Sequence, residues 1–286
     1  MNRSQVIPIG VVQNVDRVVT AAFFEEAYTL FTTGIPFLTI QGEGPFAGRP
    51  AWFVRLAGCN YGDKATSERG PGMCAFCDTN FKIDEATKVS PEDLLMQILL
   101  HPAYDARQIL VLTGGEPTLQ KRMLLEFMRL AAPHFAAMQV ETNGTQPGFF
   151  KDAEKEPKYG TVLIKTTIVV SPKATEITGN YTMPSLKVLD NDFQSTVLKF
   201  LISAEDPKYK GIPRWALDRA IRSPGSVYVS PIAVYKKPYA GEVSSAWDHD
   251  LIDAAKTAAN YNYAATYAVA QSLKLSIQQH LFCAIA

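Results

Sequence analysis

The chain has 286 residues, 47% of them hydrophobic and 20% charged, with 28 basic residues balanced by 28 acidic ones. That length holds one sizeable core, and α/β barrels of this size fold as a single unit. A balanced charge gives no field that favours nucleic acid or an anionic membrane, and no apolar run approaches the ~20 residues of a membrane span.

The opening stretch, MNRSQVIPIGVVQNVDR, carries an apolar patch too short for a secretory leader, so the expected compartment is the cytoplasm, a reducing one. Residues 1–36 read as an N-terminal extension with a helix around Asp16–Phe31, and residues 37–286 as the main domain. β-rich runs follow at Ala51–Leu56, Ile109–Leu112, Met138–Glu141, Thr166–Val170, Thr196–Ile202, Ser226–Val229 and Leu273–Ile277. Helical patterns lie at Pro91–Leu100, with Ser90 as its N-cap, at Thr118–Ala132 and in the alanine-rich Ala246–Gln271. Residues 144–165 and 174–195 lack a period and read as loops or an insertion. Strands alternating with helices imply parallel βα units, in a barrel or a doubly wound sheet.

Residues suited to chemistry recur just after these strands: Cys59, Thr113–Glu116, Thr142–Thr145, Ser171–Lys173, Ser230–Pro231 and Gln278–His280. The carboxyl ends of barrel strands converge on one face, where active sites are built, so these turns read as one site.

Fourteen residues separate Cys59 from Cys74, and two separate Cys74 from Cys77. In a reducing compartment such clustering points to a metal or to catalysis. A closed zinc site takes four ligands and would need a distant histidine here, and an iron–sulfur electron carrier also takes four. Three thiolates leave a coordination position open, as a catalytic metal site does. The fourth cysteine, Cys283, reads as a packed residue.

This cysteine loop ends in CDT, with IQGEG (40–44) upstream of it. Downstream lie LTGGEP (112–117), ETNGT (141–145), SPK (171–173) and LSIQQH (275–280). Together they resemble the radical S-adenosylmethionine (SAM) superfamily, although its usual spacing is C-x3-C-x2-C. Within it, the long gap with IQGEG and CDT is similar to the 7-carboxy-7-deazaguanine synthase family. The resemblance covers residues 38–118, 138–145, 171–173 and 273–280.

It implies an α/β fold, an incomplete TIM-like βα barrel. It implies that Cys59, Cys74 and Cys77 hold a 4Fe-4S cluster whose open iron chelates SAM, and that Thr79 ligates Mg²⁺. Gly115, Glu116, Ser171 and Lys173 would contact SAM. Ile40, Gln41, Gly42 and Glu43 would read a pterin, Arg55 would clamp its carboxylate, Thr113 would face it, and Gln278 and His280 would close over it. The implied reaction is radical hydrogen abstraction from C6 of 6-carboxy-5,6,7,8-tetrahydropterin. Ring contraction to 7-carboxy-7-deazaguanine follows, with loss of ammonia. A flavodoxin or ferredoxin-type electron donor and a homodimer come with the family. Departures from its pattern are Ser230 for glutamine, Leu281 for lysine and Ala286 for proline. The rival readings are a radical SAM enzyme with another substrate, a non-enzymatic zinc module and a homologue that binds SAM without turnover.

Overall fold

A computed structural model of the chain describes residues 28–61, 74, 76–77, 81–146, 156–174, 196–236 and 252–279, with the backbone alone at Leu163. The strands are β1 (Leu30–Thr32), β2 (Phe37–Ile40), β3 (Pro50–Leu56), β4 (Thr87–Val89), β5 (Ile109–Gly114), β6 (Ala137–Thr142), β7 (Thr166–Val170), β8 (Thr196–Ile202), β9 (Val227–Pro231) and β10 (Lys274–Leu275). The helices are α1 (Pro91–Leu99), α2 (Lys121–Ala131), α3 (Gly160–Lys165), α4 (Arg214–Arg222) and α5 (Ala254–Gln271).

The described strands form one sheet in the order β10-β9-β8-β7-β6-β5-β3-β1-β4, with β2 paired to β3. From β3 through β10 each neighbouring pair in that order is parallel. The β1 and β2 pairings at the other edge are antiparallel.

Successive residues of a strand face opposite sides, and register partners share a side. The register therefore sorts the sheet into two faces. One carries Val54, Leu112, Val140, Ile168, Phe200 and Val229, all buried in the main apolar core. Leu94 and Ile98 of α1, Phe127 of α2, Val162 of α3, Ala216 of α4 and Ala264 of α5 belong to that same core. The opposite face carries Arg55, Thr113, Gln139, Glu141, Lys199 and Ser230. Arg55, Thr113, Glu141 and Lys199 border a cavity, while toward the amino ends of β3 and β5 the same face buries Ala51, Ile109 and Val111.

The sheet curls enough for the β10 edge to approach the β2–β3 hairpin without strand pairing. The segment after β2 touches the segment after β10: Gly44 N–H donates to Ser276 Oγ at 3.0 Å, and Gln279 N–H to the Gly42 carbonyl at 3.3 Å. The fold is an incomplete βα barrel whose gap is spanned by the β2–β3 connection.

Local signals explain most element boundaries. Ser90 caps α1 by accepting from Asp93 N–H at 3.0 Å, and Asp93 accepts from the Ser90 hydroxyl at 2.7 Å. The run from Thr118 starts as a 3-10 turn, Pro117–Gln120, before α2 begins. Lys165 donates to the carbonyls of Ala132 and Phe135, just beyond the carboxyl end of α2. Asp253 caps α5 through Lys256 N–H at 3.1 Å, and the helix fills most of the alanine-rich stretch, from Ala254 to Gln271. Residues 246–251 lie outside the described residues.

Two expectations change. Leu30 and Phe31 are not helical: they belong to β1, where Gln120 bonds the Phe31 N–H at 2.8 Å and its carbonyl at 2.9 Å. Residues 16–27 lie outside the described residues. Within 144–165, the stretch from Pro157 is helical rather than loop, and Val162 anchors it in the core. No helix among the described residues is long and apolar enough to cross a membrane.

Phe200 is fully buried and meets the Trp215 ring edge-on at 5.8 Å. Phe200→Ala is expected to lower unfolding free energy by about 3–5 kcal/mol, the range for emptying such a site. Urea denaturation measures it, and a loss below about 1 kcal/mol would mean that this face is not the packed one.

Candidate active site

A cavity of about 490 Å³ is lined by mid-strand residues such as Phe53 and Lys199 and by the turns after the carboxyl ends of β3, β5, β6 and β7. Three chemically distinct walls meet there.

The first wall is the cysteine loop. Cys59 follows β3, and Cys74 and Cys77 form a turn in which Cys77 N–H donates to the Cys74 carbonyl at 3.0 Å. All three thiols border the cavity. Burial pushes the Cys59 thiol far above its ordinary range, and the negative charges of Glu116, Cys74 and Cys77 add to that, against one backbone hydrogen bond from Tyr61. Ligation requires the thiolate, so a bound cation must draw that proton off. An iron–sulfur cluster takes one thiolate per iron, and three thiols line this cavity. The donor set fits a cluster.

The second wall is the GGEP turn. Gly115 N–H donates to the Leu56 carbonyl and Glu116 N–H to the Gly58 carbonyl, both at 2.8 Å. A Cβ on Gly115 would lie 2.0 Å from the Gly58 oxygen, and one on Gly114 (φ 115°) would lie 2.3 Å from the Leu56 oxygen. The glycines let this turn close on the base of the cysteine loop. Beyond it, Ser171 and Lys173 reach the cavity after β7, with Lys173 Nζ donating to Ser171 Oγ at 2.5 Å. Burial pulls the Lys173 ammonium below its ordinary range, only partly offset by Cys74, Cys77 and Glu43.

Glu116 departs from the expected arrangement. Its side chain is fully buried and is not part of the cavity wall. One carboxylate oxygen accepts from Thr118 N–H (3.0 Å), the Thr118 hydroxyl and the Thr142 hydroxyl (2.7 Å); the other accepts from Asn143 N–H (2.6 Å). Burial raises its pKa, against the pull of those donors. Glu116 thus ties the turn after β5 to the turn after β6. Asn143 in turn donates to Asn60 Oδ1 at 2.9 Å, beside Cys59.

The third wall is a charged floor with an aromatic side. Ile40 at the end of β2 lines it with Gln41, Gly42 and Glu43 just beyond, Arg55 and Thr113 line it from paired register positions, and Gln278 closes it after β10. Phe37 stacks on Phe53 with centroids 5.4 Å apart, and the Arg55 guanidinium lies 4.9 Å from the Phe37 ring centre. Glu43 bonds Lys199 Nζ at 2.7 Å and accepts from Ser230 Oγ at 3.1 Å. Glu141 lies 3.4 Å from the same ammonium. The Gln278 amide oxygen is buried and has no hydrogen-bond partner among the described residues. A buried acceptor in that state calls for a donor from a ligand or from water.

The structure therefore gathers Cys59, Cys74, Cys77, Gly115, Ser171, Lys173, Ile40, Gln41, Gly42, Glu43, Arg55, Thr113 and Gln278 around one cavity. Thr79 and His280 lie outside the described residues. Sequence reasoning missed Lys199 and left Glu141 without a role. The signal was period-two: in TVLKFLI and AMQVET, Lys199, Gln139 and Glu141 are polar residues placed so that they share the inner face.

Residues 65–175 match the family model described as the Radical SAM superfamily. The chain is 41% identical over 118 residues to a 7-carboxy-7-deazaguanine synthase of Burkholderia multivorans, covering 39% of this chain and 54% of the relative. Namesakes in Hyperthermus butylicus and Nitratidesulfovibrio vulgaris are each 34% identical, over 48% and 46% of this chain and 53% and 64% of the relatives. The chain thus spans roughly half the length of the curated relatives it matches. A crystal structure of QueE from Escherichia coli aligns at TM-score 0.49 and 22% identity, over 90% of this chain and 97% of that one.

Glu116→Ala strands the Thr118 and Asn143 N–H groups in a buried site, at about 1–3 kcal/mol each. Urea unfolding should show Glu116→Ala to be destabilised by that order and Glu116→Gln, which keeps an acceptor oxygen, by less. Equal stability of the two variants would contradict this role.

Proposed function

We propose that the chain is a radical SAM lyase that converts 6-carboxy-5,6,7,8-tetrahydropterin to 7-carboxy-7-deazaguanine with loss of ammonia. One observation carries the reading: three cysteine thiols, two carboxylates and an arginine beside stacked aromatic rings open onto a single cavity. An open metal position, a binder for N–H donors and a binder for a carboxylate are what that substrate pair requires.

In this reading Cys59, Cys74 and Cys77 hold a 4Fe-4S cluster, and Gly115, Ser171 and Lys173 hold SAM. Together these two groups supply the hydrogen abstraction when bound. Everything else the chain does is positioning. Glu116 acts on SAM only by fixing the turn that presents Gly115. Thr79 is assigned to Mg²⁺. Glu43 accepts from the guanidine-like edge of the pterin, a charge-assisted contact that fixes ring orientation, and Ile40, Gln41 and Gly42 frame it. Arg55 pairs with the substrate carboxylate and Thr113 stands beside it in register. Gln278 donates or accepts at the rim, with His280 assigned next to it.

A flavodoxin or ferredoxin-type donor for the electron, a homodimer, and a cytoplasmic location with no nucleic-acid or membrane partner belong to the same proposal. The division into an N-terminal extension and a catalytic domain belongs to it too, with the boundary ahead of β1 rather than at residue 37, because Leu30–Thr32 pair with β3 and β4 in the same sheet.

The test is anaerobic. The protein is reconstituted with iron and sulfide and given SAM, Mg²⁺, a reductant and the tetrahydropterin, and products are read by mass spectrometry. 7-Carboxy-7-deazaguanine should form with wild type and disappear in Cys59→Ala. Cleavage of SAM without that product would sink the substrate assignment and leave the superfamily chemistry. No iron bound and no SAM cleavage would sink both.

A further inference from the structure

Lys199 sits in the middle of β8 with a side chain 6% exposed, on the polar face of an otherwise apolar strand. Its ammonium is shared by two carboxylates from different elements, Glu43 at 2.7 Å and Glu141 at 3.4 Å. Burial alone would pull a lysine down, but the charges of Glu141 and Glu43 outweigh it and hold this ammonium above its ordinary range. A buried ion pair is no better for stability than well-packed apolar side chains, so such a lysine is poorly explained by folding.

The two carboxylates are not equivalent. Glu141 is fastened to the barrel: one oxygen also accepts from Gln41 Nε2 at 3.1 Å and Gln139 Nε2 at 2.9 Å. Glu43 stands in the connection after β2, outside any strand, and is held from the barrel side by Lys199 on one oxygen and by Ser230 on the other. Its own N–H donates to Gln41 Oε1 at 3.2 Å, which closes the ring of contacts. Without the ammonium, two carboxylates would face each other across a poorly solvated floor. Like charges in that setting repel strongly, and one of them takes up a proton.

We infer that Lys199 is the positioning residue of the pterin-recognition floor, cancelling the Glu141 charge and holding Glu43 as a fixed anionic acceptor for a planar edge of N–H donors. Ser230 is the second clamp on the same carboxylate. The inference rests on the substrate reading above and adds to it the residue that makes Glu43 competent.

Charge rescue tests it. The cluster-loaded protein is titrated anaerobically with 6-carboxypterin, a fluorescent oxidised form of the proposed substrate. Lys199→Met should weaken binding by about tenfold or more, the order of one lost charge-organised contact. Lys199→Met combined with Glu141→Gln restores the net charge of the floor and should recover most of that affinity. A lysine needed only for folding would lower stability in urea in Lys199→Met and leave the affinity of the folded fraction unchanged. Full affinity in Lys199→Met, or no recovery in the double variant, overturns the inference and leaves the substrate reading standing. Failure of wild type to bind the pterin overturns both. Should Lys199→Met not fold, Lys199→Gln, which keeps a donor but no charge, carries the same comparison.

Discussion

A one-residue slip between any two of the parallel strands would turn Arg55, Glu141 or Lys199 into the helix layer and Val54, Val140 or Phe200 into the cavity. Register is therefore the constraint on which fold and site both depend. The hydrophobic effect enforces it, because the outer face buries a continuous set of Val, Leu, Ile and Phe against the helices. The polar face is then free to carry chemistry. Each of its members is placed by the packing of a neighbour on the opposite side of the same strand.

Loops finish what register begins. The start of the cysteine loop, the GGEP turn and the ETNGT turn are bound to one another by buried and partly buried contacts at the edge of the cavity. Gly115 and Glu116 pair with the chain around Gly58, Glu116 bonds the turn after β6, and Asn143 bonds Asn60. These bonds fix the described turns relative to one another, as a site requires if it is to position partners rather than attack them. The same logic runs through the floor, where Lys199 and Ser230 hold Glu43 from behind.

Much of this was legible in the chain. Strand positions followed from β-rich runs, Ser90 announced a helix, and the cysteine spacing with its companion motifs located the cavity wall. What escaped has physical causes. Leu30 and Phe31 are too few to show a period, and pairing with β3 and β4 together with the Gln120 bonds makes them a strand. Glu116 lies in a motif that suggests ligand contact, yet burial and four donors turn it inward. Lys199 and Glu141 are 58 residues apart. Each alone looks like a stray charge in a strand, and only the register brings them to one point. Ser230, read as a departure from the family pattern, proves to bond Glu43.

The most direct test of the open-cluster site is electron paramagnetic resonance of the reconstituted, chemically reduced protein before and after SAM is added. About four irons per chain and a reduced-cluster spectrum that shifts on SAM addition, lost in Cys77→Ala, are expected of three thiolates with one open iron. Stoichiometric zinc in place of iron, or a cluster spectrum indifferent to SAM, would contradict it.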